Sequence, residues 1–174
     1  SVLGEGPVPL HEPHFDGNES RYLSDCLAST YVSSVGAYVD RFEADLAELT
    51  GAKHAVATVN GTSALHTALL LAGVQPGDEV LVPALSFIAT ANAVRYCGAT
   101  PHFLDSQEST LGLDQVTMRS WLSEISTMET GECVNRVTGK RIAAVVPMHA
   151  FGHPCDMVGV TEVAAEFGLP VVED

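Results

Sequence analysis

The sequence predicts an α/β protein: a mostly parallel sheet covered on both faces by helices, a three-layer αβα sandwich. Three observations carry this. From Ala52 onward, short apolar runs at about 54–59, 79–83, 100–104, 142–147 and 170–173 alternate with helix patterns at 62–73, 87–97, 114–126 and 156–167. The runs are rich in Val and barely alternate in polarity, as strands buried on both faces do. The joints carry turn chemistry, at Gln75-Pro76-Gly77-Asp78, Gly98-Ala99-Thr100-Pro101 and Gly168-Leu169-Pro170, so strands and helices follow one another with little chain between them.

Taken in order, residues 1–18 carry Pro7, Pro9, Pro13, Gly4, Gly6 and Gly17 and read as an extended arm. Such an arm suits wrapping a neighbour or lining a pocket mouth, and equally a loosely attached terminus. Glu19 to Ser29 puts Tyr22, Leu23, Cys26 and Leu27 on one helical face. A polar loop, Thr30 to Gly36, leads to a second helix, Ala37 to Thr50, with Val39, Phe42, Leu46 and Leu49 spaced for burial and Gly51 to end it. Val56 to Val59 is short and β-branched, the pattern of a strand. Asn60-Gly61 permits positive φ and a tight reversal, and Thr62 or Ser63 suits a helix N-cap. Ala64, Leu65, Ala68, Leu69 and Leu71 then recur at helical spacing. A strand–turn–helix junction aims free N–H groups and the positive end of a helix dipole at one point, which suits phosphate. A plain βα turn with a good cap fits the same residues. Residues 127–141 break the rhythm and read as a surface excursion or small hairpin. Pro170 to Asp174 has the pattern of a strand at its carboxyl end, so the expectation is that the sequence is the front part of a longer protein.

Composition narrows the function. A length of 174 residues suits one domain with a sizeable core. A net charge of -14, from 22 acidic against 8 basic residues, argues against nucleic acid or an anionic membrane surface as partner. The 46% hydrophobic content suits a packed protein, and no apolar run reaches the length of a membrane span. Ser1 to Pro7 lacks the basic and apolar regions of a signal peptide. Cys26, Cys97, Cys133 and Cys155 form no C-x-x-C pair and read as reduced, mostly buried thiols. The expected setting is cytoplasmic.

Ligands of open α/β sheets gather at the carboxyl ends of the strands. Those ends carry Asn60-Gly61-Thr62-Ser63, then Ser86-Phe87, Asp105, Met148-His149-Ala150-Phe151 and Glu173-Asp174. A phosphate cradle, an aromatic ring, a histidine and a carboxylate on one rim suggest a planar, phosphorylated, cationic-ring cofactor. Phosphate would sit at Gly61, Thr62 and Ser63, a ring face against Phe87, and Asp174 beside a protonated ring nitrogen. That description fits pyridoxal 5'-phosphate. No G-x-G-x-x-G or G-x-x-x-x-G-K-[ST] supports a dinucleotide or nucleoside triphosphate, and no G-x-S-x-G supports a serine nucleophile. His149, His153 and Cys155 are close in sequence, but Gly152 and Pro154 break the segment, and no metal site is expected. His11 and His14 flank Pro13 in the arm and read as solvated. Lys53 and Lys140, the lysines of the sequence, each precede a strand and so fall at the wrong end of a sheet to carry the cofactor.

Asn60-Gly61-Thr62-Ser63-Ala64-Leu65, Gly77-Asp78-Glu79-Val80, Ser86 to Ala93, Met148 to Asp156 and Val172-Glu173-Asp174 resemble, in order, the DegT/DnrJ/EryC1/StrS family of pyridoxal-phosphate sugar aminotransferases of fold type I. Pro9-Leu10-His11-Glu12-Pro13, Gly17-Asn18-Glu19, Val32 to Gly36 and Pro147-Met148-His149 look like the branch serving nonulosonic, legionaminic-type acid synthesis. The resemblance implies that Thr62 and Ser63 hold the phosphate, Phe87 stacks on the ring, Asp174 binds the pyridinium nitrogen and His149 lies near the cofactor as a further catalytic candidate. It implies residues 1–36 as arm, short helix and active-site loop, and residues 37–174 as the first part of the large domain. The Schiff-base lysine and a small C-terminal domain would follow Asp174, so these 174 residues alone are expected to be inactive. With strands missing from the middle of the sheet, they are also expected not to fold stably alone.

The implied reaction moves an amino group from glutamate to a nucleotide-linked 4-keto-6-deoxy sugar, in a homodimer with active sites at its interface. Two alternatives stand: a sugar dehydratase of the same family with His in place of the lysine, and a non-catalytic cofactor-binding or regulatory protein.

Overall fold

A computed structural model describes residues 12–174; His11 and the earlier part of the arm lie outside the described residues. The chain divides into two compact units, up to Ala57 and from Thr58 onward.

In the first unit, α1 (Glu19–Ser29) and α2 (Ala37–Thr50) are joined by a loop. Their ends follow local chemistry: Thr30 and Gly51 adopt left-handed φ of 64° and 71°, as helix ends commonly do. The two helices meet through Tyr22 and Tyr38, whose ring centroids lie 4.9 Å apart, and the Tyr38 hydroxyl donates to Asp25 Oδ2 at 2.8 Å. Neither helix buries a residue. The expected apolar faces are open, with Leu23, Leu27 and Leu49 at 67%, 70% and 84% exposure. Two helices alone cannot cover both their stripes, and the described residues of this unit supply no third layer. His14 is exposed, as expected, and lies 3.5 Å from Asp16.

The second unit holds α3 (Gly61–Leu71), β1 (Glu79–Pro83), α4 (Ile88–Tyr96), β2 (Thr100–Leu104), α5 (Gln115–Ile125), β3 (Ser126–Glu129), β4 (Glu132–Asn135), β5 (Ile142–Val145) and α6 (Met157–Glu166). The sheet runs β2-β1-β5, all parallel. All of β1 is buried, which explains its lack of alternation: Val80 and Val82 pack on one face with Leu65 and Leu69 of α3 and Ala93 and Val94 of α4. Leu81 and Val145 face the other way, onto Met118 and Leu122 of α5 and Val160 and Val163 of α6. Three layers result, as the sequence predicts.

The strand expected over 170–173 is an extended segment beside β5. Its ladder is reduced to one bridge, Val171 to Val145, with Val172 N–H donating to Val145 O at 2.9 Å and Asp174 N–H to Pro147 O at 2.9 Å. The strand expected over 54–59 does not form. Among the described residues nothing pairs with it, and Val56 and Val59 are 80% and 88% exposed. β-Branched residues become a strand only where another edge offers donors and acceptors at ladder spacing.

The excursion at 127–141 is the β3–β4 hairpin. Asn135 pins it by donating from Nδ2 to Glu79 Oε2 at 2.8 Å, deep at the amino end of the sheet. There Arg141 grips Asp78 through Nε at 3.2 Å and Nη2 at 2.6 Å, and Nη2 also reaches Gly73 O at 2.7 Å. His102 Nδ1 lies 3.7 Å from Glu79 Oε2, its ring 4.1 Å from that of Trp121. Burial pushes the His102 pKa below its ordinary value, against the opposing pull of Glu79. All four cysteines are free, three of them buried, and burial pushes the Cys97 and Cys133 thiols up. Among the described residues no helix is long and apolar enough to cross a membrane.

Candidate functional site

At the carboxyl ends of the strands lies a cleft of about 300 Å³, lined by Gly61, Thr62, Leu65, Phe87, Ala89, Met148, His149 and Asp174. The first of its walls is the start of α3. Asn60 is extended, at φ -165° and ψ 169°, and its Oδ1 accepts from Ser63 N–H at 2.8 Å. Asn60 is therefore the cap, not Thr62 or Ser63, because its side-chain carbonyl reaches the third amide of the helix. The expected positive φ at Asn60-Gly61 is likewise absent. With Ser63 N–H capped and Ala64 N–H on Asn60 O at 3.1 Å, the N–H groups of Gly61 and Thr62 have no acceptor among the described residues. A Cβ at Gly61 would meet nothing within 4 Å. Ser63 does not line the cleft.

The second wall is the start of α4. Phe87 occupies its N-cap position and stays 69% exposed, so its ring is not a core element. One turn in, Thr90 is 1% exposed, and its hydroxyl donates to Asp174 Oδ2.

The third wall is the adjoining ends of β5 and the 170–174 segment. Asp174 is stapled by its backbone, its N–H to Pro147 O at 2.9 Å and its C=O from His149 N–H at 3.0 Å. Its Oδ1 accepts nothing among the described residues. His149 Nδ1 accepts from Cys155 N–H at 3.1 Å. Nε2 must then carry the ring proton, which it donates to Glu173 Oε1 at 2.8 Å. Both imidazole nitrogens are thus engaged. Cys155 Sγ donates to Met148 O at 3.3 Å, and Gly112 presses so closely on it that a Cβ there would stand 2.3 Å from the sulfur. Phe151, two residues after His149, holds a left-handed φ of 55° and is 79% exposed.

The structure thus brings Gly61, Thr62, Phe87, His149 and Asp174 to one cleft and leaves Ser63 behind its neighbours. Asp105 spends Oδ1 on Ser106 N–H at 2.8 Å and does not line it. Lys140 Nζ lies 3.5 Å from Thr100 Oγ1, at the amino end of the sheet, and Lys53 belongs to the first unit. Among the described residues no three His, Cys, Asp or Glu side chains converge as metal ligands. Sequence reasoning placed Met148 on this rim but missed Leu65 and Ala89 as lining, Asn60 as cap and Thr90 as partner of Asp174. The three-residue spacing of Phe87 and Thr90, one helical turn, was the available signal for the last.

Residues 13–174 match the DegT/DnrJ/EryC1/StrS aminotransferase family. GDP-perosamine synthase of Caulobacter vibrioides is 41% identical over 167 residues, covering 96% of this chain and 41% of that protein. Among solved structures, an aminotransferase from Psychrobacter cryohalolentis superposes with a TM-score of 0.78 at 32% identity, over 93% of this chain and 37% of the other. NtdA from Bacillus subtilis, solved with the cofactor PMP bound, superposes with a TM-score of 0.73 at 28% identity, over 88% of this chain and 32% of the other. The chain spans about two fifths of the length of the curated relatives it matches.

Proposed function

The chain belongs to the DegT/DnrJ/EryC1/StrS aminotransferase family, and from that premise we propose that it forms the cofactor-binding part of an enzyme that aminates a nucleotide-linked 4-keto-6-deoxy sugar with glutamate. The observation that carries this reading is the pairing, across one cleft of about 300 Å³, of two unspent helix N–H groups with one unspent carboxylate oxygen. That donor set fits pyridoxal 5'-phosphate, a dianion at one end of a ring and a basic nitrogen at the other.

In this reading the N–H groups of Gly61 and Thr62 hold the phosphate, with the Thr62 hydroxyl beside them and the dipole of α3 in support. The open space above Gly61 admits a close approach to backbone. Phe87 covers one ring face. Asp174 offers Oδ1 to the ring nitrogen and keeps a proton there. The bound cofactor supplies an electron sink for charge developing at the substrate carbon. His149, with Nδ1 and Nε2 both engaged, acts as a fixed wall, and any proton it passes travels along Nε2–H toward Glu173. The cofactor-bearing lysine, the homodimer and the small domain belong to the whole protein, with residues 37–174 as the first part of its large domain. The GDP-linked product named for the Caulobacter relative and the legionaminic-type motifs both call for a nucleotide-linked amino sugar. They differ in which one.

The test is reconstitution of the whole protein with pyridoxal phosphate. Uptake should appear as a visible absorption band that glutamate bleaches and a keto sugar nucleotide restores. A band that glutamate leaves unchanged would point to the dehydratase or the non-catalytic alternative. Absence of any band would overturn the cofactor assignment.

A further inference from the structure

We infer that Thr90 is a positioning residue that sets the plane of the Asp174 carboxylate and so decides which of its oxygens faces the cofactor ring; this rests on the cofactor reading above.

Four other helical threonines make the case by contrast. A threonine inside a helix ordinarily turns its hydroxyl back onto a carbonyl one turn earlier. Thr50 does so to Leu46 O at 2.8 Å, Thr67 to Ser63 O at 2.9 Å, Thr117 to Asp114 O at 3.1 Å and Thr161 to Met157 O at 2.7 Å. Thr90 instead sends its hydroxyl to Asp174 Oδ2, 84 residues away in sequence. An ionised carboxylate only accepts, so the hydroxyl is the donor.

The geometry leaves Asp174 little other freedom. Its backbone is held on both sides by Pro147 O and His149 N–H, so only the side-chain torsions remain, and the Thr90 bond fixes them. Thr90 is itself 1% exposed, which keeps water from competing, and its branched Cβ restricts the direction of the hydroxyl. Oδ2 is thereby spent and Oδ1 is the oxygen left for the cleft. The same first turn of α4 carries Phe87 at its N-cap and Ala89 on the cleft wall. One rigid turn therefore sets both the surface under the ring and the carboxylate at its edge.

The test uses the whole protein, wild type against Thr90→Val, which keeps the shape and loses the hydroxyl, and Thr90→Ser, which keeps the hydroxyl. Thr90→Val should raise the cofactor dissociation constant and lower kcat by about ten- to a hundredfold, the range for a lost hydrogen bond to a charged group. KM for glutamate should hardly move. The pH midpoint of the bound cofactor's visible band should also shift, a change that a merely structural role would not produce. Thr90→Ser should restore all three quantities. If Thr90→Val does not fold, Thr90→Ala takes its place. A hydroxyl-free variant with wild-type midpoint, affinity and kcat would overturn the assignment, as would a serine variant no better than valine. If wild type takes up no cofactor, the function proposed above falls and this inference with it; if wild type binds and the variants match it, only the role of Thr90 falls.

Discussion

The two ends of the parallel sheet follow opposite rules. At the amino end, Asp78 has both oxygens on Arg141, Glu79 is 3% exposed and takes a bond from Asn135, and the hairpin closes over them. At the carboxyl end, two N–H groups and a carboxylate oxygen have no partner among the described residues, and Phe87 lies open. Charges buried for good must be paired within the chain, since an unpaired one costs several kcal/mol. A binding end must instead leave its donors unspent, so that a ligand completes them. In the proposed reading, stability and function are thus separated along the strands by their own length.

The comparison can be broken at either end. Asp174→Ala in the whole protein should lower turnover by on the order of a thousandfold, roughly 4 kcal/mol in the barrier, with little change in melting temperature. Retained turnover would remove the carboxylate from the mechanism. Arg141→Met should do the reverse. It strands Asp78 in a site where its side chain is 10% exposed and should lose about 3–5 kcal/mol of stability in a denaturant titration. Cofactor uptake per folded molecule should stay as in wild type.

Capping sharpens the contrast. Asn60→Ala and Asp114→Ala each remove a side-chain cap, of α3 and α5, and each should lose about 1 kcal/mol of stability. Only Asn60→Ala should also weaken pyridoxal phosphate binding in a titration of the apoprotein. Equal effects on binding would mean that α3 has no special relation to the ligand.

The smallest effect concerns pH. His102 has its folded pKa below the ordinary 6.5, so the unfolded chain takes up the proton first as pH falls. Its contribution to stability is whole above about pH 6.5 and declines below it, until the folded form also protonates. His102→Gln should flatten that part of the stability curve in calorimetry at stepped pH. An unchanged curve would assign the slope elsewhere.

How far these ends could be read beforehand depended on whether their causes were local. The sandwich was legible because Val80, Val82 and Val145 are buried whichever face they point to, and burial on both faces leaves a continuous apolar run. The cleft was legible at Phe87 and Asp174 because each follows an extended apolar run, and at Gly61 and Thr62 because turn residues mark the start of α3. What failed depended on partners. Val56 to Val59 has strand propensity but no edge to join. Leu23, Leu27 and Leu49 have helical spacing but nothing among the described residues of their unit to bury against. Asn60 was read as a turn former when its side chain caps the helix, a choice between two uses of one residue. Thr90 belongs to the site through a bond across 84 residues, which no pattern within a helix announces.

The backbone of Gly112 lies against Cys155, which is 6% exposed, and the same turn supplies the amide that holds His149. A thiol shielded by backbone cannot be alkylated until that backbone moves away. The rate at which iodoacetamide labels Cys155 therefore counts how often this wall parts, and a molecule seated against His149 should slow the clock.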